Sequence, residues 1–407
     1  MLDSLSSEKL ISFIPVLLPL TLALAGWCVV KLVQIMAVRP KKFVGFFNLL
    51  GWQGYLYRNQ EWQRQTWSRE FLEPLAGIPQ IYEYLSPEKI VSHQLSHLRP
   101  QVDAIIDQIM GANNAVLWEN LPVLIKNRFY AKTHKLLPRI IDDIVEDWVD
   151  NLGRTLGHRK LLHFSEQRKP GITEKLYHKL YHKSYERLAN FAACLGFSLG
   201  MIQIFIASFF DTNQIMFWSL SAGFSCFFFF WLGKLWLLYP LKPLQWGPWT
   251  IASPFSKSRP ELDAELARFL AYGLLTVSNI THSMIDGERN SHARSIIRKR
   301  VSTLVEDVNI RTFVQLAVGP KGYLELKNTL TERLIVAMLE PLQDETFNRA
   351  RAKQVEGFLL QRLKQTGDPI FHRQLKLSLD PLSSIGGIGG FLIGALAGAI
   401  QYCLLIM

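Results

Sequence analysis

Two histidine pairs in this chain have the spacing that metal chemistry uses. His93 and His97 in "HQLSH", like His178 and His182 in "YHKLYHKSY", stand four residues apart. On a helix that spacing puts two imidazoles on one face. Neither pair carries the glutamate of HExxH or a third ligand at a fixed distance, so metal binding is the weaker reading. Around the second pair, Tyr177, Tyr181 and neighbouring lysines fit a helix at headgroup depth instead.

Other candidate chemistry fails on context. "GFSLG" (Gly196 to Gly200) matches GxSxG, but a nucleophile elbow needs a strand-to-helix turn with a histidine and an acid nearby. This one lies inside an apolar run, where glycines serve helix packing. The acidic residues Asp142, Asp143, Glu146, Asp147 and Asp150 lack the glycine and ligand spacing of a calcium loop, and read as a solvated helix face. Gly387 and Gly389 begin a GxGxxG, but Leu392 fills its last place and "LDPLSSI" precedes it. No cofactor or metal site and no catalytic residue is expected. Arg294, Arg298, Lys299 and Arg300 interleave with Ile297, Val301, Leu304 and Val305. That pattern is amphipathic and lacks a nucleic-acid motif, so its expected partner is an anionic membrane surface.

What positions these residues is a chain of 407 residues, 49% apolar yet carrying a formal charge of +11. A spanning helix needs about 20 apolar residues. Leu10 to Val30, Leu188 to Phe210, Thr212 to Gly233 and Pro381 to Met407 carry no charge. The expected organisation is a leader at 1–9, a first span at 10–38 and a helical polar region at 39–187. A second span at 188–210, a short turn at 211–214 ("FFDTNQ") and a third span at 215–238 follow. A second helical region at 239–380 and a glycine-rich span at 381–407 complete the chain. The first span is expected to be retained, because "MLDSLSSEK" has no net positive charge. Cys28, Cys194, Cys226 and Cys403 all lie in apolar runs, with no CxxC pair. The fold class is therefore all-α: an integral membrane protein with about four transmembrane helices and two amphipathic helical cytoplasmic regions.

Lysine and arginine next to the spans set the expected orientation. Arg39, Lys41 and Lys42 follow the first span, and Arg154 to Arg187 is rich in positive charge before the second. Lys234 and Lys242 follow the third; Arg362, Lys364, Arg373 and Lys376 precede the fourth. Both polar regions are then cytoplasmic and both termini outside, in a multi-pass inner-membrane protein.

The two halves share an order and several short matches. "KLVQIMAVRP" (Lys31 to Pro40) matches "KLWLLYPLKP" (Lys234 to Pro243), and "GFSLGMIQ" matches "GALAGAIQ". A "LLP" turn near Pro138 is set against "LEP" near Pro341. Such recurrence predicts an internal duplication. Ser86-Pro87-Glu88 predicts a capped helix start. Ile140, Ile141, Ile144, Val145, Trp148, Val149 and Leu152 predict one buried helical face. In lipid, Gly386, Gly390, Gly394 and Gly398 form a smooth stripe expected to pack on the second span through Gly196 and Gly200. Gln203 and Gln401 would hydrogen-bond between helices.

"IMAVRPKKFVGFFNLLGWQG" (Ile35 to Gly54) resembles the opening of the domain of unknown function 445 family of bacterial membrane proteins. Arg39, Pro40, Gly51, Trp52, Gln53 and Gly54 carry the match, with Gly390, Gly394, Gly398 and Gln401 at the far end. The chain departs from that pattern at "YLYRN" after "GWQG", and its second half has only "QWGPW" in the corresponding place. The resemblance implies a bacterial integral membrane protein and no established activity. The expected role is non-enzymatic: a scaffold or envelope organiser acting through anionic lipid headgroups and protein partners or a homo-oligomer, with no nucleic acid. A lipid or small-solute transporter acting as an oligomer, and a membrane metal enzyme using the four histidines, are the alternatives.

Overall fold

The computed structural model describes residues 2–46, 50–209, 215–240, 244–246, 249–287, 290–306, 308–366 and 368–406. The expected turn at 211–214 lies outside them. Almost everything described is helix. In the first half α1 (Leu2–Val38) leads through a cis Arg39–Pro40 bond into an antiparallel hairpin, β1 (Val44–Phe46) and β2 (Leu50–Trp52). Short helices follow: α2 (Tyr55–Arg58), α3 (Gln60–Trp67), a π-helical turn (Ser68–Leu72), α4 (Glu73–Leu75) and α5 (Ile78–Tyr84). Then come α6 (Pro87–Leu98), α7 (Val102–Glu119), α8 (Val123–Thr155), α9 (His158–Arg168) and the long α10 (Ile172–Phe209).

The second half runs in the same order. Its opening span α11 (Ile215–Leu238) is followed by a cis Tyr239–Pro240 bond and a hairpin, β3 (Leu244–Trp246) and β4 (Trp249–Ile251). After α12 (Pro254–Phe269) come a π-helical turn (Leu270–Leu274), α13 (Val277–Asp286), α14 (Asn290–Val305) and α15 (Val308–Leu339). A 3₁₀ turn (Pro341–Gln343), α16 (Glu345–Thr366) and α17 (Asp368–Ile406) complete it. Opening spans end at Val38 and Leu238, and their hairpins begin at Val44 and Leu244. That register differs from the match of Lys31 with Lys234.

Among the described residues four helices are long and apolar enough to cross a membrane: Leu17–Val38, Ile172–Phe209, Ile215–Leu238 and Pro369–Leu404. In lipid a helix satisfies its own backbone, which is why uncharged runs of this length take that form. α10 and α17 start well before the expected boundaries at Leu188 and Pro381, because their polar first turns continue the apolar helix without a break.

The chain divides into two compact units. One comprises Met1–Phe71, Thr173–Leu266 and Thr366–Met407; the other comprises Leu72–Ile172 and Ala267–Gln365. The first unit holds the four apolar helices and both hairpins. The second draws on parts of both polar regions. Its core contains the expected face of α8: Ile141, Ile144, Val145, Trp148 and Leu152 are buried, with Ile140 and Val149 at its edges. The buried stripe runs straight through Pro138, which lies inside α8 and makes no turn. Pro341 does open a turn. Ser86 precedes α6 as expected, but its side chain makes no capping bond and its hydroxyl donates to Gln354 instead.

Candidate functional site

Gly196, Gly200, Gly386, Gly390, Gly394 and Gly398 sit at helix contacts, though not in the expected pairing. A Cβ on Gly196 would lie 2.6 Å from the Leu22 carbonyl oxygen, and one on Gly200 2.6 Å from the Pro19 Cα. Gly26 meets the Ala192 carbonyl oxygen at 2.7 Å in the same way, so α1 and α10 form a backbone-close pair. In the second half Gly386 faces the Phe230 ring and Gly390 the Cys226 carbonyl, while Gly394 and Gly398 press on the carbonyls of Ala222 and Trp218. The fourth span therefore packs on the third, and the second on the first. Each closing helix takes the opening span of its own half, and its glycines let the backbone of that span come close.

The two glutamines connect the halves. Gln203 of α10 donates to the Ser221 hydroxyl of α11 at 2.7 Å, and Gln401 of α17 donates to the Leu18 carbonyl of α1 at 2.9 Å. Both side chains are buried. Phe191 stacks on Trp236 with ring centroids 4.3 Å apart, adding to the α10–α11 contact.

The motif behind the family resemblance closes the C-terminal end of α1, and the reason for each residue type is visible. Trp52 Nε1 donates to the Met36 carbonyl at 3.0 Å, Gln53 Nε2 to the Lys41 carbonyl at 3.1 Å, and the Gly54 N–H to the Pro40 carbonyl at 2.9 Å. These bonds take up acceptors at a helix end and just beyond it. A Cβ on Gly54 would stand 2.7 Å from the Val38 carbonyl carbon, and one on Gly51 2.6 Å from Gly45 Cα. Arg39 and Pro40 form the corner between helix and hairpin. Nearby, Tyr57 donates to Glu174 at 2.6 Å, and Lys41 pairs with the same carboxylate at 2.7 Å. Burial, then the Glu174 bond, pushes the Tyr57 phenol up to about 12.

The histidine pairs are engaged with protein groups. His178 and His182 stack at 4.3 Å, and His182 contacts Gln34 through Nδ1 and Glu186 through Nε2, each at 3.1 Å. His93 bonds the Pro341 carbonyl at 3.0 Å and stacks on Phe347, while His97 Nδ1 lies 3.0 Å from the His93 carbonyl. Among the described residues no group of three or more metal-ligating side chains converges. Tyr177 and Tyr181 are buried, bonded to Tyr185 and Ser378 at 3.0 and 2.6 Å, and so their rings face the protein interior. Lys183 pairs with Glu261 and Glu265, and Lys179 with Glu265. Ser198 of "GFSLG" bonds back to the Cys194 carbonyl within α10, which has no elbow there.

The arginines of α14 are split between structure and solvent. Arg300 bridges Asp143 at 3.0 Å and Asp147 at 2.7 Å, and Arg294 pairs with Glu332 at 2.9 Å. The acidic face of α8 is thus partly an internal docking strip. Arg298 and Lys299 point to solvent, whereas Ala293, Ile297, Val301 and Val305 are core residues. The apolar stripe of α14 is spent inside the unit.

One polar groove in the second unit was not foreseen. It has a volume of about 870 Å³ and combines the α9 end (Arg168, Lys169) with Arg268, Tyr272 and the first residues of α13 and α16. Its cations were visible only as separate charges, because residues 168, 268 and 349 meet through tertiary packing. Comparison of the chain with protein-family models, with curated proteins and with solved structures gave no match.

Proposed function

We propose that this protein is a non-enzymatic, multi-pass inner-membrane scaffold, similar to the domain of unknown function 445 family and built by duplication of a two-span module. The observation that carries this reading is the recurrence of one packing scheme. Leu22 and Ala222 receive Gly196 and Gly394; Pro19 and Trp218 receive Gly200 and Gly398; Gly26 and Cys226 stand opposite Ala192 and Gly390. Gln203 and Gln401 then reach across to the other half. A bundle so interlocked supports an anchor better than a moving gate. The charge distribution favours both polar regions in the cytoplasm and both termini outside. There the exposed cations of the helical surface, Arg298 and Lys299 among them, would meet anionic headgroups or an acidic protein partner.

The test is in two parts. Reporter fusions at either terminus are expected to be active only outside the inner membrane, and photo-crosslinkers at Arg298 and Lys299 are expected to capture one reproducible envelope partner or anionic lipid. Solute flux from proteoliposomes above empty controls would replace this reading with transport, and stoichiometric zinc or iron in purified protein would replace it with a metal enzyme.

A further inference from the structure

We infer that the groove at the start of α13 and α16 is a binding site for a phosphate-bearing anion. The inference concerns the second unit alone and goes beyond the scaffold role. Four cations line the groove: Arg168, Lys169, Arg268 and Arg349. Among the described residues Arg349 alone of these has a salt-bridge partner, Glu345 at 2.6 Å, which also lines the groove. Arg168, Lys169 and Arg268 are exposed and, among the described residues, form no salt bridge. Elsewhere in this unit comparable arginines are neutralised, Arg300 by two aspartates and Arg294 by Glu332. Three like charges converging unpaired on a concave surface focus a positive potential there.

The rest of the lining fits the same ligand. Thr276 caps α13 and Ser278 and Asn279 lie in its first turn, while Glu345, Asn348 and Arg349 lie at the start of α16. Both helix starts are capped from within the protein, Thr276 Oγ1 accepting from the Asn279 N–H at 3.2 Å and Asp344 from the Thr346 N–H at 2.8 Å, so the positive charge of the groove comes from its side chains. The Ser278 and Thr276 hydroxyls add neutral polar groups, while the Asn279 and Asn348 amides are spent on backbone carbonyls. The local frame is fixed: Asn279 Nδ2 donates to the Gly273 carbonyl at 2.9 Å, and the Ser278 N–H donates to Asn348 Oδ1 at 3.3 Å. Tyr272 offers a partly exposed ring beside these groups. The volume of about 870 Å³ is that of a small-molecule site, larger than a single phosphate needs. A diphosphate or a phosphate on a larger carrier matches the three free cations best. Its source is either a soluble phosphate ester or a phospholipid headgroup.

The probe is inorganic pyrophosphate, titrated by calorimetry onto the intact chain in nanodiscs of zwitterionic phosphatidylcholine. Saturable binding is expected, weakening as salt rises. Arg168→Glu and Arg268→Glu, both at exposed positions, are expected to weaken it at least tenfold each, while Lys135→Glu on the exposed face of α8 leaves it unchanged. Circular dichroism checks that the variants keep their helix content, and Arg268→Lys, which retains the charge, should recover most of the affinity. In nanodiscs containing anionic phosphatidylglycerol, weaker pyrophosphate binding identifies a lipid headgroup as the native source. Unchanged binding there identifies a soluble one. Absence of saturable binding in phosphatidylcholine, or equal binding by the parent, Arg168→Glu and Arg268→Glu, overturns the proposal.

Discussion

Gln401 donates its side-chain amide to the backbone carbonyl of Leu18 at 2.9 Å, joining the last helix of the chain to the first. Leu18 also accepts from Thr21 at 2.7 Å, so its oxygen keeps a partner if the glutamine is lost. A cross-helix bond of this kind in lipid contributes about 0.5–1 kcal/mol. Gln401→Met removes the donor and keeps the length. It is expected to lower stability by that modest amount in a detergent-unfolding titration, and a loss above about 3 kcal/mol would mean that the residue holds more than this bond.

The glycine stripe makes a larger prediction. Gly394 and Gly398 leave no room for a Cβ against the carbonyls of Ala222 and Trp218. Leucine at either position forces the third and fourth spans apart. The rings of Phe224 and Phe391 lie 5.5 Å apart at the rim of this contact. Phe224→Cys with Phe391→Cys, in a background without the native cysteines, is expected to cross-link readily. Adding Gly394→Leu or Gly398→Leu should abolish the cross-link. If it persists, or if spans two and four cross-link instead, the pairing described above is wrong.

These contacts show where sequence reasoning reached and where it stopped. Uncharged runs and the stripe of α8 follow from local composition and periodicity, so spans and helices could be read directly. Glycine spacing marked Gly394 and Gly398 as contact residues, but spacing says nothing about which helix receives them. That choice lies in Ala222 and Trp218, whose carbonyls no pattern distinguishes. Tyr177 misled for a related reason: a tyrosine beside lysines suits an interface, yet its hydroxyl finds Tyr185 in the interior. The groove was the least legible feature, since Arg168, Arg268 and Arg349 are far apart in the chain and come together only through folding.

The hairpin motif depends on a close approach at Gly54, where the three nearest atoms to an added Cβ are backbone, at 2.7 to 2.9 Å. Backbone cannot yield as a side-chain tip can. Gly54→Ala is therefore expected to be more damaging than Trp52→Phe, which loses one hydrogen bond to Met36 and about 1 kcal/mol. Protease accessibility of the segment after α1 reads the difference: ready cleavage in Gly54→Ala, little change in Trp52→Phe. The reverse order would show that the tryptophan, not the tight turn, holds the hairpin.

On α14 neighbouring cations have separate roles. Arg300 is about a third exposed and bridges two aspartates, so Arg300→Ala is expected to cost about 1 kcal/mol, less in high salt. Arg298→Ala and Lys299→Ala should leave stability unchanged and reduce only cross-linking to anionic lipid. Thermal unfolding at low and high salt separates the two sets. Equal destabilisation by all three substitutions would contradict this division.

His158, buried at the start of α9, gives the second unit a pH dependence. Burial holds its imidazole down at about 4, against an opposing bond involving the Ala76 backbone, whereas the ordinary value is 6.5. As pH falls through 6.5 the unfolded chain takes up the proton first, so stability declines between pH 6.5 and 4 and is full above that window. The loss from this one group approaches about 3 kcal/mol at the acid end. Hydrogen exchange of α9 amides, corrected for intrinsic rates, is expected to show protection falling about a hundredfold across the window. Carboxylates contribute below pH 5 in every variant, so the decisive quantity is the difference between the parent and His158→Gln. The parent's stability relative to His158→Gln should fall steadily as pH drops from 6.5, and a constant difference would show that His158 does not titrate in the folded unit as its burial requires.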